Sequence, residues 1–444
     1  MAQSQYKIVE AVIAADRFGG FDFNTIDVRS LVAEFNVFES LDKPYLTGSV
    51  VILDDKGIFD AIQFQGTERF RVQMDSQDEE PNVVFERTFV MTSIERTRKA
   101  NANGTSSIYV FTLLDEHAFV GRINKVSKSY RGNIEQIIAR IAANEFKKDI
   151  DVSYSASAPS VQTDISCIIP NMTALESVIW LTRRATTETG STFFTYASMH
   201  DDNIRIGNLD VMLQQDAFNT KLPYTYNPAN MSKAESQGEL EKTFTIKSLR
   251  ASKMADTLGL IENGCVTASY ANTNLNTGQI FSQRYSIRKQ LEELEKKDII
   301  GKNQNVFDGD FFVGDKQIDL YDAKRYHTVT STGTYGRNKS YHDETDETKF
   351  RKKLEGKSIK KHLFKNMINV AVDGVGFIIS KAGVGDIVRL NIVNDNTLTD
   401  DINDESEVLD QRMSGDFIIY DTRHTFSGTQ HTVSMNVGKL EKLS

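Results

Sequence analysis

Histidine is the side chain best suited to move a proton or hold a metal near neutral pH. This chain has seven, at positions 117, 200, 327, 342, 362, 424 and 431, and their spacing matches no metal-binding pattern. His424 and His431 fall on what read as adjacent strands, placed to meet across a hairpin. Two ligands do not make a metal site, so both are expected to be satisfied strand histidines. The segment 308–319, DGDFFVGDKQID, has the carboxylate density of a calcium loop. It has Val313 where such a loop needs glycine and Asp319 where it needs glutamate, and it reads as a turn. The run 341–347, YHDETDE, clusters carboxylates, but glycosidic acid–base work needs two held in a buried cleft. A run this polar reads as solvated. The chain has no HExxH, no GxxxxGK[S/T], no GxSxG and no paired CxxC. Cys167 and Cys265, the only cysteines, read as buried apolar side chains of a protein that folds in a reducing cytoplasm. The expectation is no catalytic residue, no metal and no cofactor.

The elements that would position these residues are mostly strands. In the last, His431, Val433, Met435 and Val437 face one way, and Thr432, Ser434 and Asn436 the other. Residues 427–430, SGTQ, supply the hairpin turn before it. Residues 1–122 read as five or six strands broken by turn clusters, a small antiparallel barrel or sandwich. Ala33, Phe35 and Val37 alternate with Glu34 and Asn36, and Phe70, Val72 and Met74 with Arg69, Arg71 and Gln73. A short amphipathic helix at 55–62 is the interruption.

The pattern then changes. Ile134, Ile137, Ile138 and Ile141 mark one face of a helix over 133–146. A second helix opens at Thr173 with Glu176 three residues on, the capping-box spacing. It carries Leu175, Val178, Ile179 and Trp180, the only tryptophan, and runs to about Ala185. Strands return over 191–198 and 203–212. Residues 214–242 are polar and read as a connection, 242–272 as two strands, and 286–300 as a helix with a thin stripe of Leu291, Leu294 and Ile299. A basic run, 349–366, and an acidic one, 394–411, read as solvated surface, or as faces for oppositely charged partners.

Length and composition, 444 residues with 39% hydrophobic, 25% charged and 6 Pro, allow two to four domains with real cores. A net charge of −9 makes phosphate gripping a poor use of the surface, although repulsion suits a lumen through which DNA slides. The N-terminus lacks the pattern of a signal peptide, and no window approaches the ~18 apolar residues of a membrane helix. A soluble protein without membrane insertion is expected.

Taken in order, several landmarks resemble the baseplate hub of contractile-tailed phages. They are the unit 39–72 with Gly66 and Glu68, the helix with Pro170, Glu176, Trp180, Leu181, Arg184 and Ala185, and the terminal strands that open at Gly385-Asp386 and Ser414-Gly415. The hub is related to the N-terminal part of type VI secretion spike proteins, which continue into an OB-fold and a β-helix. The resemblance implies a mainly β, α+β fold with two tail-tube-like antiparallel β-barrels and an inserted α/β portion. It assigns 1–122 to the first barrel, 123–241 and 273–362 to the α/β portion, and 242–272 with 363–444 to a discontinuous second barrel. It also implies a homotrimer in the virion baseplate that joins a hexameric tail tube, or its initiator, to a separate trimeric spike. Wedge proteins would be further partners, and DNA would pass through a channel without stable binding. Another tube-fold tail component, such as a tube initiator or distal tail protein, or the hub of a contractile injection system, stays open beside it. A peptidoglycan hydrolase and a carbohydrate-binding adhesin are the readings from other classes.

Overall fold

Strands with one apolar face must cover it, and much of this chain does so through one sheet. The computed structural model describes residues 6–14, 25–55, 57, 64–76, 83–98, 107–161, 165–227, 243–253, 257–275, 278–300, 307–309, 312–313, 315–317, 324–330, 347–365, 367–393, 409–410, 413–439 and 441–443. Thirteen of its strands join in a single sheet. They are β1 (Tyr6–Ala14), β2 (Thr25–Asp27), β3 (Val32–Ser40), β4 (Thr47–Asp54), β5 (Arg69–Ser76), β6 (Val83–Arg98), β7 (Ser107–Asp115), β8 (Tyr224–Tyr226), β9 (Ser248–Lys253), β10 (Met367–Asp373), β11 (Ile387–Ile392), β12 (Gly415–Ser427) and β13 (Gln430–Gly438). The hydrogen-bonded order is β9–β10–β13–β12–β3–β4–β7–β6–β5–β1–β2, with β11 branching from β12 and carrying β8.

The first barrel is the antiparallel run from β3 to β1. Along β5, Phe70, Val72 and Met74 are buried and Arg69, Arg71 and Gln73 half-buried. Phe35 lies among the rings of Phe70, Phe85 and Phe89 at 6.1, 5.9 and 6.3 Å. Aromatic side chains carry most of such a core, at about 1.5–3 kcal/mol for each fully buried ring. The run curls back on itself. Val28 N donates to Ala11 O at 2.9 Å just ahead of β3, and the Tyr6 hydroxyl donates to Gly428 O at 3.2 Å.

The second barrel takes the order β9–β10–β13–β12–β11–β8. It closes through Thr225, whose N–H donates to Phe244 O and whose carbonyl accepts from Ile246 N, each at 2.9 Å, just before β9 begins. The hairpin between β12 and β13 turns at Gly428 with φ 59°, a left-handed conformation that glycine adopts without strain. As the alternation requires, His431, Val433, Met435 and Val437 are buried and Thr432, Ser434 and Asn436 are half-buried.

The α/β portion is built on α1 (Glu116–Ile123), α2 (Ile134–Glu145) and α3 (Ala174–Thr182). All four isoleucines of the α2 stripe are buried. α3 starts at the capping box, with Glu176 N donating to Thr173 Oγ1 at 3.2 Å and Thr173 N to Glu176 Oε2 at 3.1 Å. It ends at Thr182, short of Ala185. Strand Phe193–Ala197 is antiparallel to Ile204–Asn208, after which Leu209–Leu213 turns helical where a longer strand was expected.

Other departures concern which segments pair. The stretch expected as a polar connection contains β8, because one aromatic, Tyr224, is fully buried in the second barrel. Strand Thr267–Asn274, expected in that barrel, instead pairs with Ile280–Ser286 and, in parallel, with Arg325–Thr330 in a separate sheet. The basic run forms helix Glu347–Leu363, which buries Leu354, Glu355, Ser358, Ile359, His362 and Leu363 on one side. Half of that stripe is polar, so the run reads as surface. Helix Ile287–Lys296 forms as expected, with Leu291, Leu294 and, beyond it, Ile299 buried. In 308–319, Phe312 and Val313 pair with Gln317 and Lys316 as in a turn. Most of 55–62, 341–347 and 394–411 lies outside the described residues.

Candidate functional site

The two barrels meet at a seam made by one long strand. Residues 415–418 of β12 pair with 387–390 of β11, and 421–427 pair with 34–40 of β3. The exchange occurs at a β-bulge between Ile419 and Asp421, the usual device for bending a strand from one sheet surface to another. On one side Gly385 N donates to Ile419 O, and on the other Leu41 N donates to Tyr420 O, both at 2.9 Å. The cores interlock as well. Phe426 joins the first barrel's core, and Leu41 joins the second's.

Alternation decides which side chains meet inside the seam. Phe35, Val37 and Glu39 share a face of β3 and stand opposite Phe426, His424 and Thr422. Glu39 is therefore buried, at 2% exposure. Its carboxylate accepts from Met199 N at 2.6 Å and Thr422 Oγ1 at 2.7 Å, with His424 Nε2 at 3.6 Å. Burial alone would raise the Glu39 pKa. The nearby His424 imidazole, helped by His200 and the hydrogen bond from Met199 N, outweighs it and holds the carboxyl at about 2.

The two strand histidines do meet. His424 Nδ1 lies 3.2 Å from His431 Nε2, and both rings are fully buried. His431 stacks on Phe426 at 4.2 Å with the rings 6° from parallel. Desolvation, then the nearby His424, His200 and Lys247, push the His431 pKa well below the ordinary histidine value. His200 reaches Ala382 O through Nε2 at 3.1 Å, and burial lowers its pKa to about 4. Beyond it Asp386 accepts from Gly383 N at 2.8 Å, and burial raises its pKa to about 6. Asp42 accepts from Tyr420 Oη and pairs with Lys360 of helix Glu347–Leu363.

A cleft of about 820 Å³ opens between β6, α1 and the end of α2. There Arg87, buried, donates to Ser198 O at 2.9 Å and pairs with Asp202, which Lys148 also reaches at 2.7 Å. Asp115, also buried, accepts from Leu46 N at 2.7 Å. The cleft is a polar joint between the first barrel and the α/β portion.

Of the remaining histidines, His117 lines this cleft, His327 meets Thr273 Oγ1 at 3.0 Å, His362 is buried, and His342 lies outside the described residues. Cys167 and Cys265 are both free thiols. Among the described residues no group of three or more His, Cys, Asp or Glu could hold a metal ion, and no helix is long and apolar enough to cross a membrane. Sequence reasoning missed Glu39. The signal was present, since the alternation of Phe35 and Val37, carried two residues further, puts a carboxylate on the apolar face.

No protein-family model and no curated protein matches the sequence. Solved structures are similar. A tail protein from Neisseria meningitidis MC58 aligns over 98% of this chain and 97% of its own, with a TM-score of 0.51 and 11% identity. The 43 kDa tail protein of prophage MuSo2 from Shewanella oneidensis aligns over 97% and 98%, with a TM-score of 0.51 and 10% identity. At such identities the likeness is one of fold, and this chain has, end to end, the mainly β architecture of those two tail proteins.

Proposed function

We propose that the chain is the structural hub of a contractile-tail baseplate, without catalysis, joining a six-fold tail tube to a three-fold spike. The observation that carries this reading is β12, which ties two barrels into one sheet, so that each copy offers two tube-like units side by side. A closed three-fold ring of such copies would present a pseudo-six-fold surface to the tube on one side and true three-fold symmetry to a spike on the other. The full-length fold likeness to two tail proteins supports a place in a tail. DNA would pass through the central opening without stable binding. The tube or its initiator, the spike and the wedge proteins would be the protein partners.

The test is the mass of the purified protein by light scattering, alone and with a candidate spike. A mass three times the 50.0 kDa chain in either condition supports the ring. A monomer in both returns the reading to another tube-fold tail component, which the same fold likeness accommodates.

A further inference from the structure

The two imidazoles at the seam share one hydrogen bond, His424 Nδ1 to His431 Nε2 at 3.2 Å, so one nitrogen donates and the other accepts. Added to a neutral pair, a proton on the accepting nitrogen leaves two N–H groups facing each other and one buried cation; added to a pair that already holds one imidazolium, it leaves two adjacent cations. Both rings are fully buried and Glu39 is 2% exposed, so the added charge has no water to solvate it unless the site opens. One carboxylate, Glu39 at 3.6 Å from His424 Nε2, balances one imidazolium and no more. Opening would act on a particular ladder, because His424 pairs through its backbone with Val37 of β3 and with Val433 of β13. The β3–β12 ladder is what joins the barrels within the sheet.

We propose that Glu39, His424 and His431 form an acid-sensitive latch, in which the shared hydrogen bond holds β3 against β12 and a second proton on the histidine pair releases that ladder while each barrel stays folded. The other charged groups around it are His200, from the turn after strand Phe193–Ala197, Lys247, from the approach to β9, Arg205, from strand Ile204–Asn208, and Asp386, ahead of β11. His200, Lys247 and the companion imidazole all disfavour charge on His431. Since burial sets His431 well below and His200 down to about 4 against an ordinary 6.5, the folded state refuses protons that an opened seam accepts. Closure is therefore complete above 6.5 and is lost as pH falls toward the depressed values.

Hydrogen–deuterium exchange of the whole protein at about pH 7.5 and about pH 5, with labelling times scaled for intrinsic exchange, tests this. Amides of β3 and of 421–427 are expected to gain about tenfold in exchange relative to those of β5 and β6 at the lower pH. His431→Gln, which keeps a polar side chain but takes no proton, is expected to abolish that gain. An unchanged ratio in the wild type, a loss of protection everywhere at once, or a His431→Gln protein that keeps the response overturns the latch. Spectra of ¹⁵N-histidine-labelled wild-type protein give a readout that needs no variant. The buried pair should gain its second proton over the pH range in which seam exchange rises, and titration with no rise in exchange also overturns it.

Discussion

Phe35 of β3 and Phe426 of β12 stack across the seam with ring centroids 6.1 Å apart and planes 28° from parallel. The N-terminal barrel is thus completed by a side chain from the last hairpin, and Tyr6 packs edge-on to the same ring at 5.0 Å. Phe426→Ala is expected to cost about 3–5 kcal/mol, the range for emptying an aromatic site in a tight core. Measured by hydrogen exchange, the loss should reach the amides of β3 through β7 although residue 426 is far away in sequence. Loss confined to β10–β13 would mean that Phe426 supports its own hairpin and not the first barrel's core.

Gly374 accepts an ordinary φ of −78°, so nothing in its backbone demands glycine. Its reason is contact, since a Cβ there would land inside the His431 imidazole. Gly374→Ala should destabilise by about 1–3 kcal/mol through overpacking. Combined with His431→Ala it should cost clearly less than the sum of the two changes, by about 1 kcal/mol or more in a denaturant double-mutant cycle. Additive costs would show that the alanine methyl finds room elsewhere.

What the sequence made legible was whatever is periodic within one element. The β13 alternation, the α2 isoleucine stripe and the Thr173–Glu176 box each depend on neighbours a few residues apart, and each stands in the structure. β8 escaped notice because three residues are too few for a period, and only its partner β11 explains why Tyr224 is buried. Strand Thr267–Asn274 was legible as a strand but its sheet was not, since pairing with Arg325–Thr330 is a long-range choice. At the seam, one half of the site could be anticipated. The hairpin brings His424 and His431 together locally, whereas the approach of Glu39 depends on β3 pairing with β12 from the other end of the chain.

The capping box gives a local test. Thr173→Ala removes the acceptor for Glu176 N and should cost about 1 kcal/mol. The loss should appear as faster exchange in the first turn of α3, with β3 to β7 unaffected. Trp180, which lies on this helix under the Arg184 guanidinium at 3.8 Å, offers a fluorescence probe of the same unit. A loss above about 2 kcal/mol, outside the range for a cap, would mean that Thr173 does more than cap.

Asp386 works against the seam histidines in its pH dependence. Burial, with a smaller contribution from Glu39, raises its carboxyl to about 6 from 3.8, despite the hydrogen bond from Gly383 N and the charge of Arg205. A raised folded-state value means that this group's stabilising contribution is fully present below 3.8 and is lost as pH rises through about 6. At about pH 8 the ionised carboxylate then costs on the order of 3 kcal/mol. Asp386→Asn keeps an acceptor for Gly383 N and removes the charge. It should therefore raise stability at about pH 8 by an amount that shrinks toward zero near pH 4, read from denaturant midpoints at both. His200, held at about 4 against an ordinary 6.5, carries the opposite sign over the same window, so the two slopes largely offset each other in the wild type between about pH 4 and 6, and the Asp386→Asn variant should uncover a loss of stability on acidification. A gain equal at both pH values would mean that residue 386 acts through packing and not through its charge.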